Sequence, residues 1–213
     1  MRPIVLGIML AGLSPLCSEA RGAEAAATSS AARSDAEQAD RELRVGDAAP
    51  EFENLIGTDD KRHSLEEYAK AKAVVVVFTC NSCPVARAYE DRLMALQNEY
   101  ADKGVRLVAI NVNNTEADRL PAMKKRAEEQ GFEFAYLYDP SQEIARKYGA
   151  TVTPHVFLLD EKRQLAYVGP VDDNQNEAKV KHKYLREAID AELAGSKPET
   201  TQHKPFGCAI KYE

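Results

Sequence analysis

Seven residues, Ala73-Val74-Val75-Val76-Val77-Phe78-Thr79, constrain this chain more than any others. β-branched side chains favour a strand, and the run has no polar/apolar alternation that would turn one face to water. Such a strand needs cover on both sides, so helices should pack on both faces of a largely parallel sheet. Cys80-Asn81-Ser82-Cys83-Pro84 follow at once. Two cysteines three apart can close a small disulfide when the chain between them turns. Beyond Pro84 the apolar residues Val85, Tyr89, Leu93, Leu96 and Tyr100 line one helix face. Cys80 is therefore expected near a helix N-terminus, where free N–H groups favour an anion. A thiolate is that anion, and its pKa should fall below about 8. The pattern points to dithiol–disulfide exchange. Position makes Cys80 the attacking thiol and Cys83, one helical turn in, the resolving one.

The rest of the chain alternates strand and helix patterns. Residues 54–63, with Gly57-Thr58-Asp59-Asp60 in the middle, read as a β-hairpin. Ser64-Leu65-Glu66-Glu67 is a capping-box pattern opening a short helix that ends near Lys72. A helix over 84–103 closes at Gly104, and 105–112 is a second Val- and Ile-rich strand. Residues 116–130 should be helical, perturbed at Pro121 and closed by Gly131. A short strand over 134–138, a helix over 141–148, a hairpin of 155–160 with 164–168, and a helix over 179–193 complete the domain. In that last helix Val180, Tyr184, Leu185, Ala188 and Ile189 should point inward. The expected fold is a three-layer α/β domain over 44–195 with an N-terminal β-hairpin extension.

The first residues read differently. Arg2, the apolar stretch Ile4–Leu16 and Ser18-Glu19-Ala20 make residues 1–20 a secretory signal, with Ala23-Glu24-Ala25 a second cleavage candidate. Residues 21–43, rich in Ala, Ser, Glu and Asp, read as a disordered spacer. The expected location is periplasmic or secreted. Pro15 and Leu16 argue against lipidation of Cys17, and cleavage after Ala20 leaves Cys80, Cys83 and Cys208. A net charge of −6 argues against nucleic acid as a partner. No run of 18 or more apolar residues offers a membrane span. Outside the cytoplasm the cysteine pair could instead be a structural disulfide.

A second clue is Thr151-Val152-Thr153-Pro154-His155, about seventy residues after the cysteines and just before a buried strand. Together, the strand ending in Cys80-Asn81-Ser82-Cys83-Pro84 and the later Val152-Thr153-Pro154 resemble the thioredoxin-like superfamily. The opening Gly46-Asp47-Ala48-Ala49-Pro50-Glu51-Phe52 resembles its redoxin branch, which holds peroxiredoxins and exported bacterial thiol–disulfide oxidoreductases. The resemblance covers about 45–195. It implies Cys80 as nucleophile, Cys83 as resolving thiol, and Pro154 as a cis-proline lining a client groove, where an extended client could pair with the Thr153 backbone. The implied partners are client proteins bearing thiols or disulfides and a redox partner protein, with no cofactor. Two departures matter: Thr79 stands where an aromatic residue is usual, and Asn81-Ser82 replaces Gly-Pro. The direction of electron flow therefore stays open.

Three rival readings remain beside this one. Peroxide reduction needs Pro-x-x-x-Thr-x-x-Cys, and neither register fits. With Cys83 reactive, Val76 and Cys80 occupy the key positions; with Cys80 reactive, Ala73 and Val77 do. Copper or zinc binding would use Cys80 and Cys83 with His155 or His203. A binding module with a structural disulfide is the third. The tail 196–213 carries Cys208 between Phe206 and Ile210. It should either dock on the domain or bring Cys208 to the active pair. His63 and His182 are expected on the surface, and Lys124, Lys125 and Arg126 on a solvated helix face. Asp172-Asp173-Asn174 should form a turn or cap, or else border the site.

Overall fold

The computed structural model describes residues 43–213; the expected secretory signal of 1–20 and the expected spacer up to residue 42 lie outside the described residues. The valine run becomes an interior strand of a sheet. In chain order the strands are β1 (Leu55–Gly57), β2 (Arg62–His63), β3 (Ala73–Phe78), β4 (Val105–Asn111), β5 (Ala135–Tyr138), β6 (Val152–Thr153), β7 (His155–Leu159), β8 (Leu165–Gly169) and β9 (Cys208–Ala209). Seven of them form one sheet in the order β2-β1-β5-β4-β3-β7-β8, and β6 with β9 forms a separate pair. β3 runs parallel to β4, with Val75 opposite Leu107, and antiparallel to β7, with Val75 opposite Leu158.

Every residue of β3 is buried. Val75 and Val77 face one layer, with Tyr89, Leu93 and Leu96 on one helix and Leu185 and Ile189 on another. Val74, Val76 and Phe78 face the other layer, with Leu65, Ile144 and Tyr148. The helices are α1 (Pro84–Arg87), α2 (Glu90–Tyr100), α3 (Leu120–Gln130), α4 (Glu143–Tyr148) and α5 (Tyr184–Leu193). Each large side chain buried this way contributes about 1.5–3 kcal/mol. The lack of alternation in the sequence is the consequence of this two-sided burial. This is the three-layer α/β fold expected. The expected hairpin forms with Leu55 opposite His63, and it also joins the main sheet, with Ile56 opposite Tyr138.

Several boundaries differ from expectation for local reasons. The 84–103 helix divides at Ala88 and Tyr89, where the Tyr89 N–H donates to the Ala86 carbonyl at 3.0 Å and tightens the turn. Residues 101–103 are 3-10, and Gly104 closes them at φ 90°, a conformation costly for any residue with a Cβ. The 116–130 helix becomes a 3-10 turn, Glu116–Asp118, then α3, with Pro121 in the first turn where its missing N–H is harmless. The last helix begins at Tyr184, not Lys179. The Lys181 N–H donates to Asp173 Oδ1 at 2.9 Å, and the Asp173 N–H to the His182 carbonyl at 3.2 Å. Those bonds hold 180–183 out of the helix.

Two side-chain expectations are corrected. Arg126 is not solvated: its guanidinium grips Glu90, a carboxylate only 6% exposed, with Nε 3.1 Å from Oε1. Lys124 pairs with Asp60 and Lys125 with Glu129. His63 is half-buried between Asp59 and Glu67, 3.0 Å from each, and these carboxylates raise its pKa against its own desolvation. His182 is exposed as expected, stacked on Tyr184.

Candidate functional site

β3 ends where the Thr79 N–H donates to the Ile110 carbonyl at 3.0 Å, and the chain leaves the sheet at Cys80. The Asn81-Ser82 turn that follows is tied down from below. Asp118, fully buried, accepts the Ser82 N–H at 3.0 Å, the Ser82 hydroxyl at 2.7 Å and the Thr115 hydroxyl at 2.6 Å. The Asn81 amide donates to the Ala117 carbonyl at 2.8 Å and accepts the Tyr136 hydroxyl at 2.9 Å. Asn111, at the end of β4, donates to the Tyr136 oxygen at 3.2 Å and to the Asp118 carbonyl at 3.1 Å. Burial holds the Tyr136 hydroxyl well above its usual pKa, so it stays a donor.

Sequence reading missed Asp118, Asn111 and Tyr136. A trace was present: a buried Val- and Ile-rich strand ending in Asn111 leaves an amide that needs partners. Nothing in the spacing said that the partner would be Asp118 or that both would sit beneath the cysteine turn.

Both cysteines are free and buried, Cys80 at 3% and Cys83 at 2% exposure. The helix begins at Pro84, as expected. Cys83, not Cys80, is its cap, and its sulfur accepts the Ala86 N–H at 3.3 Å. The hydrogen bond between the two thiols lowers the pKa of Cys83, helped by Cys208 and the Ala86 N–H. The same hydrogen bond raises that of Cys80, together with burial and the nearby Asp118 carboxylate. The Cys80 sulfur lies 3.3 Å from the Thr153 hydroxyl and 3.7 Å from that of Ser82.

The Thr153–Pro154 bond is cis, and the Cys83 sulfur lies 3.2 Å from the Thr153 carbonyl oxygen. β6 thus sits directly on the cysteine pair. On its other side lies the tail: Thr153 pairs with Cys208 and Val152 with Ala209. Cys208 is half-buried against the pair. Burial and the charge on Cys83 raise its pKa.

The remaining candidates lie elsewhere. The His155 ring packs on Phe157, centroids 4.5 Å apart, and burial lowers its pKa to about 4. His203 stacks on Tyr184 at 3.8 Å. Among the described residues, no group of three or more His, Cys, Asp or Glu side chains is arranged to hold a metal ion. Asp172 is more than a turn residue. Nearly buried, it accepts the Tyr89 hydroxyl at 2.6 Å and Arg92 Nη1 at 2.5 Å, locking the start of α2.

Comparison with known proteins agrees with this fold. Two solved structures cover most of the chain. A hypothetical protein of Sinorhizobium meliloti 1021 is 34% identical, covers 81% of this chain and 97% of its own, and has a TM-score of 0.76. An uncharacterized conserved protein of Geobacillus kaustophilus is 36% identical, covers 80% and 93%, and has a TM-score of 0.75. The thiol-disulfide oxidoreductase ResA of Halalkalibacterium halodurans is 27% identical over 133 residues, 61% of this chain and 71% of its own. The sequence profile described as Redoxin matches residues 44–184, two-thirds of the chain and all of the α/β core up to the start of α5. The chain therefore belongs to the Redoxin family.

Proposed function

We propose that this protein is an exported thiol–disulfide oxidoreductase that exchanges the Cys80–Cys83 couple with client proteins, with Pro154 bounding the groove in which a client lies. The observation that carries the reading is the placement of two buried thiols against the cis Thr153–Pro154 turn, with the Cys83 sulfur 3.2 Å from the Thr153 carbonyl oxygen and the Cys80 sulfur 3.3 Å from the Thr153 hydroxyl. A thiolate is the nucleophile of disulfide exchange, and the family relatives named thiol-disulfide oxidoreductases support the same chemistry. Export rests on Arg2, the Ile4–Leu16 stretch and Ser18-Glu19-Ala20. Among the described residues no helix is long and apolar enough to cross a membrane.

Cys83 caps α1 and its sulfur accepts the Ala86 N–H, which supports it as the attacking thiolate, the reverse of the order expected from position. The Cys83 thiolate enters a client disulfide, forming a bond to one client sulfur while the other leaves as a thiolate. Cys80 then attacks the Cys83 sulfur, the client's second sulfur leaves, and a Cys80–Cys83 disulfide remains. The client is reduced by two electrons and the pair is oxidised by two. Cys80 must lose its proton for the second step. Its neighbour Ser82 donates to Asp118, so the hydroxyl links the thiol to a buried acceptor. Pro154 offers no N–H, which confines client pairing to the backbone before it.

Trapping decides the reading. Insulin reduction driven by dithiothreitol should be lost in both single Cys→Ser variants. With Cys208 also replaced by Ser, so that it cannot resolve the intermediate, Cys80→Ser should accumulate mixed disulfides through Cys83, and Cys83→Ser should not. Accumulation by Cys83→Ser alone would restore the order Cys80 first, Cys83 second. Undiminished insulin reduction by both variants would remove the function.

A further inference from the structure

The backbone edge that a client strand needs is already taken. β9 pairs with β6 residue for residue, and the Ile210 N–H extends the pairing by donating to the Thr151 carbonyl at 3.0 Å. The approach is close at Gly207, where a Cβ would fall 2.0 Å from the Thr153 carbonyl oxygen, so only glycine fits. The tail is anchored on both sides of this contact. Phe206 packs on the Tyr89 ring, centroids 6.2 Å apart, and Ile210 is 7% exposed in the layer that holds Phe78 and Tyr148. Farther on, the Lys211 N–H donates to Asn113 Oδ1 at 3.1 Å and the Tyr212 hydroxyl to the Ala150 carbonyl at 2.6 Å. Between these anchors Cys208 packs against Cys80 and Cys83.

We propose that the carboxyl-terminal strand is an internal client: it closes the groove, and Cys208 is a third exchange cysteine that latches it there. The latch rests on the exchange chemistry proposed for Cys80 and Cys83. Once a client disulfide has oxidised that pair, the Cys208 thiolate attacks the Cys83 sulfur. A Cys83–Cys208 bond forms, the Cys80–Cys83 bond breaks, and Cys80 leaves as a thiolate that takes up the proton Cys208 gave up. The step is an exchange without net oxidation or reduction. It converts an oxidised open site into an oxidised closed one, with the tail held covalently over Thr153. A client must displace β9 to pair with Thr153, and a reductant must open Cys83–Cys208 before the latched form can turn over.

The test uses the full chain and peptide mass mapping without reduction. Cys80→Ser oxidised with diamide should give a Cys83–Cys208 peptide as its main cross-link. Reduced Gly207→Val, whose side chain collides with the Thr153 carbonyl, should be alkylated at Cys83 by iodoacetamide about tenfold faster than the unaltered chain, equivalent to about 1.4 kcal/mol of lost docking. Cys208→Ser serves as a second variant: insulin reduction should rise because the closed oxidised form cannot build up. A Cys83 that stays unlinked to Cys208 in oxidised Cys80→Ser overturns the latch, as does unchanged alkylation in Gly207→Val with unchanged turnover in Cys208→Ser. These outcomes leave the exchange reading standing when the unaltered chain still forms Cys80–Cys83 and reduces insulin. Failure of both in the unaltered chain overturns the exchange reading instead.

Discussion

His155 should make the protein lose stability in mild acid, and the size of the loss follows from its surroundings. The ring is 5% exposed, and burial alone lowers its pKa from about 6.5 to about 4. Nδ1 accepts the Thr151 N–H at 3.4 Å, and Nε2 has no partner. A second ring proton would turn that acceptor into a donor facing a donor, and would place a charge where nothing compensates it. Between pH 6.5 and 4 the unfolded chain binds a proton that the folded chain refuses. The unfolded state then holds more protons, so stability rises with pH across this window. The contribution is complete above pH 6.5 and disappears as the pH falls toward 4. Each pH unit in the window is worth about 1.4 kcal/mol, so the loss reaches about 2 kcal/mol at pH 5 and about 3 kcal/mol near pH 4.

The assay is urea unfolding followed by far-ultraviolet circular dichroism, since the chain has no tryptophan. Other groups titrate in this range, so the quantity to compare is the difference between the unaltered chain and His155→Phe. The variant keeps a ring against Phe157 and cannot titrate. Whatever constant cost it carries cancels in the pH dependence. The difference should shift in favour of His155→Phe by about 2 kcal/mol between pH 7.5 and pH 5. A difference that stays flat would mean that the ring is protonated in the fold and that its buried, unpartnered setting is wrong.

Two further substitutions test the supports of the site. Arg126→Ala leaves the Glu90 carboxylate buried without its partner and should cost about 3 kcal/mol in urea unfolding, whereas an exposed pair would cost under about 1. Asp118→Asn removes the acceptor below Ser82 and should slow release of the mixed disulfide by on the order of 10²-fold, with a smaller effect on its formation. Stopped-flow kinetics with a disulfide-bonded peptide separates the two steps, and equal slowing of both would assign Asp118 to positioning alone.

The legible part of this protein was the part where a single local rule decides. Two-sided burial writes itself as four consecutive valines, and β3 lies where the run predicts it. A residue with a Cβ resists positive φ, so Gly104 and Gly131 end their helices as expected. The site was legible only in its inventory. Cys80, Cys83, Thr153 and Pro154 do come together, because a CxxC turn and an X-Pro turn stand at the same ends of neighbouring strands β3 and β7. What the pattern did not give is which cysteine caps the helix. Cys80 was expected near the helix N-terminus, but in the helix that starts at Pro84 the cap is Cys83. Pro84 has no N–H to donate but suits the first helical position, so the cap falls on the residue before it. The same reasoning bears on Cys208. Sequence left it as either a buried residue or a partner of the pair, and the docked tail lies where both are compatible. The strand pairing that holds the tail against Thr153 also packs Cys208 against Cys80 and Cys83. A docked tail and a reactive tail are therefore not rival readings here, since docking supplies the proximity that exchange requires.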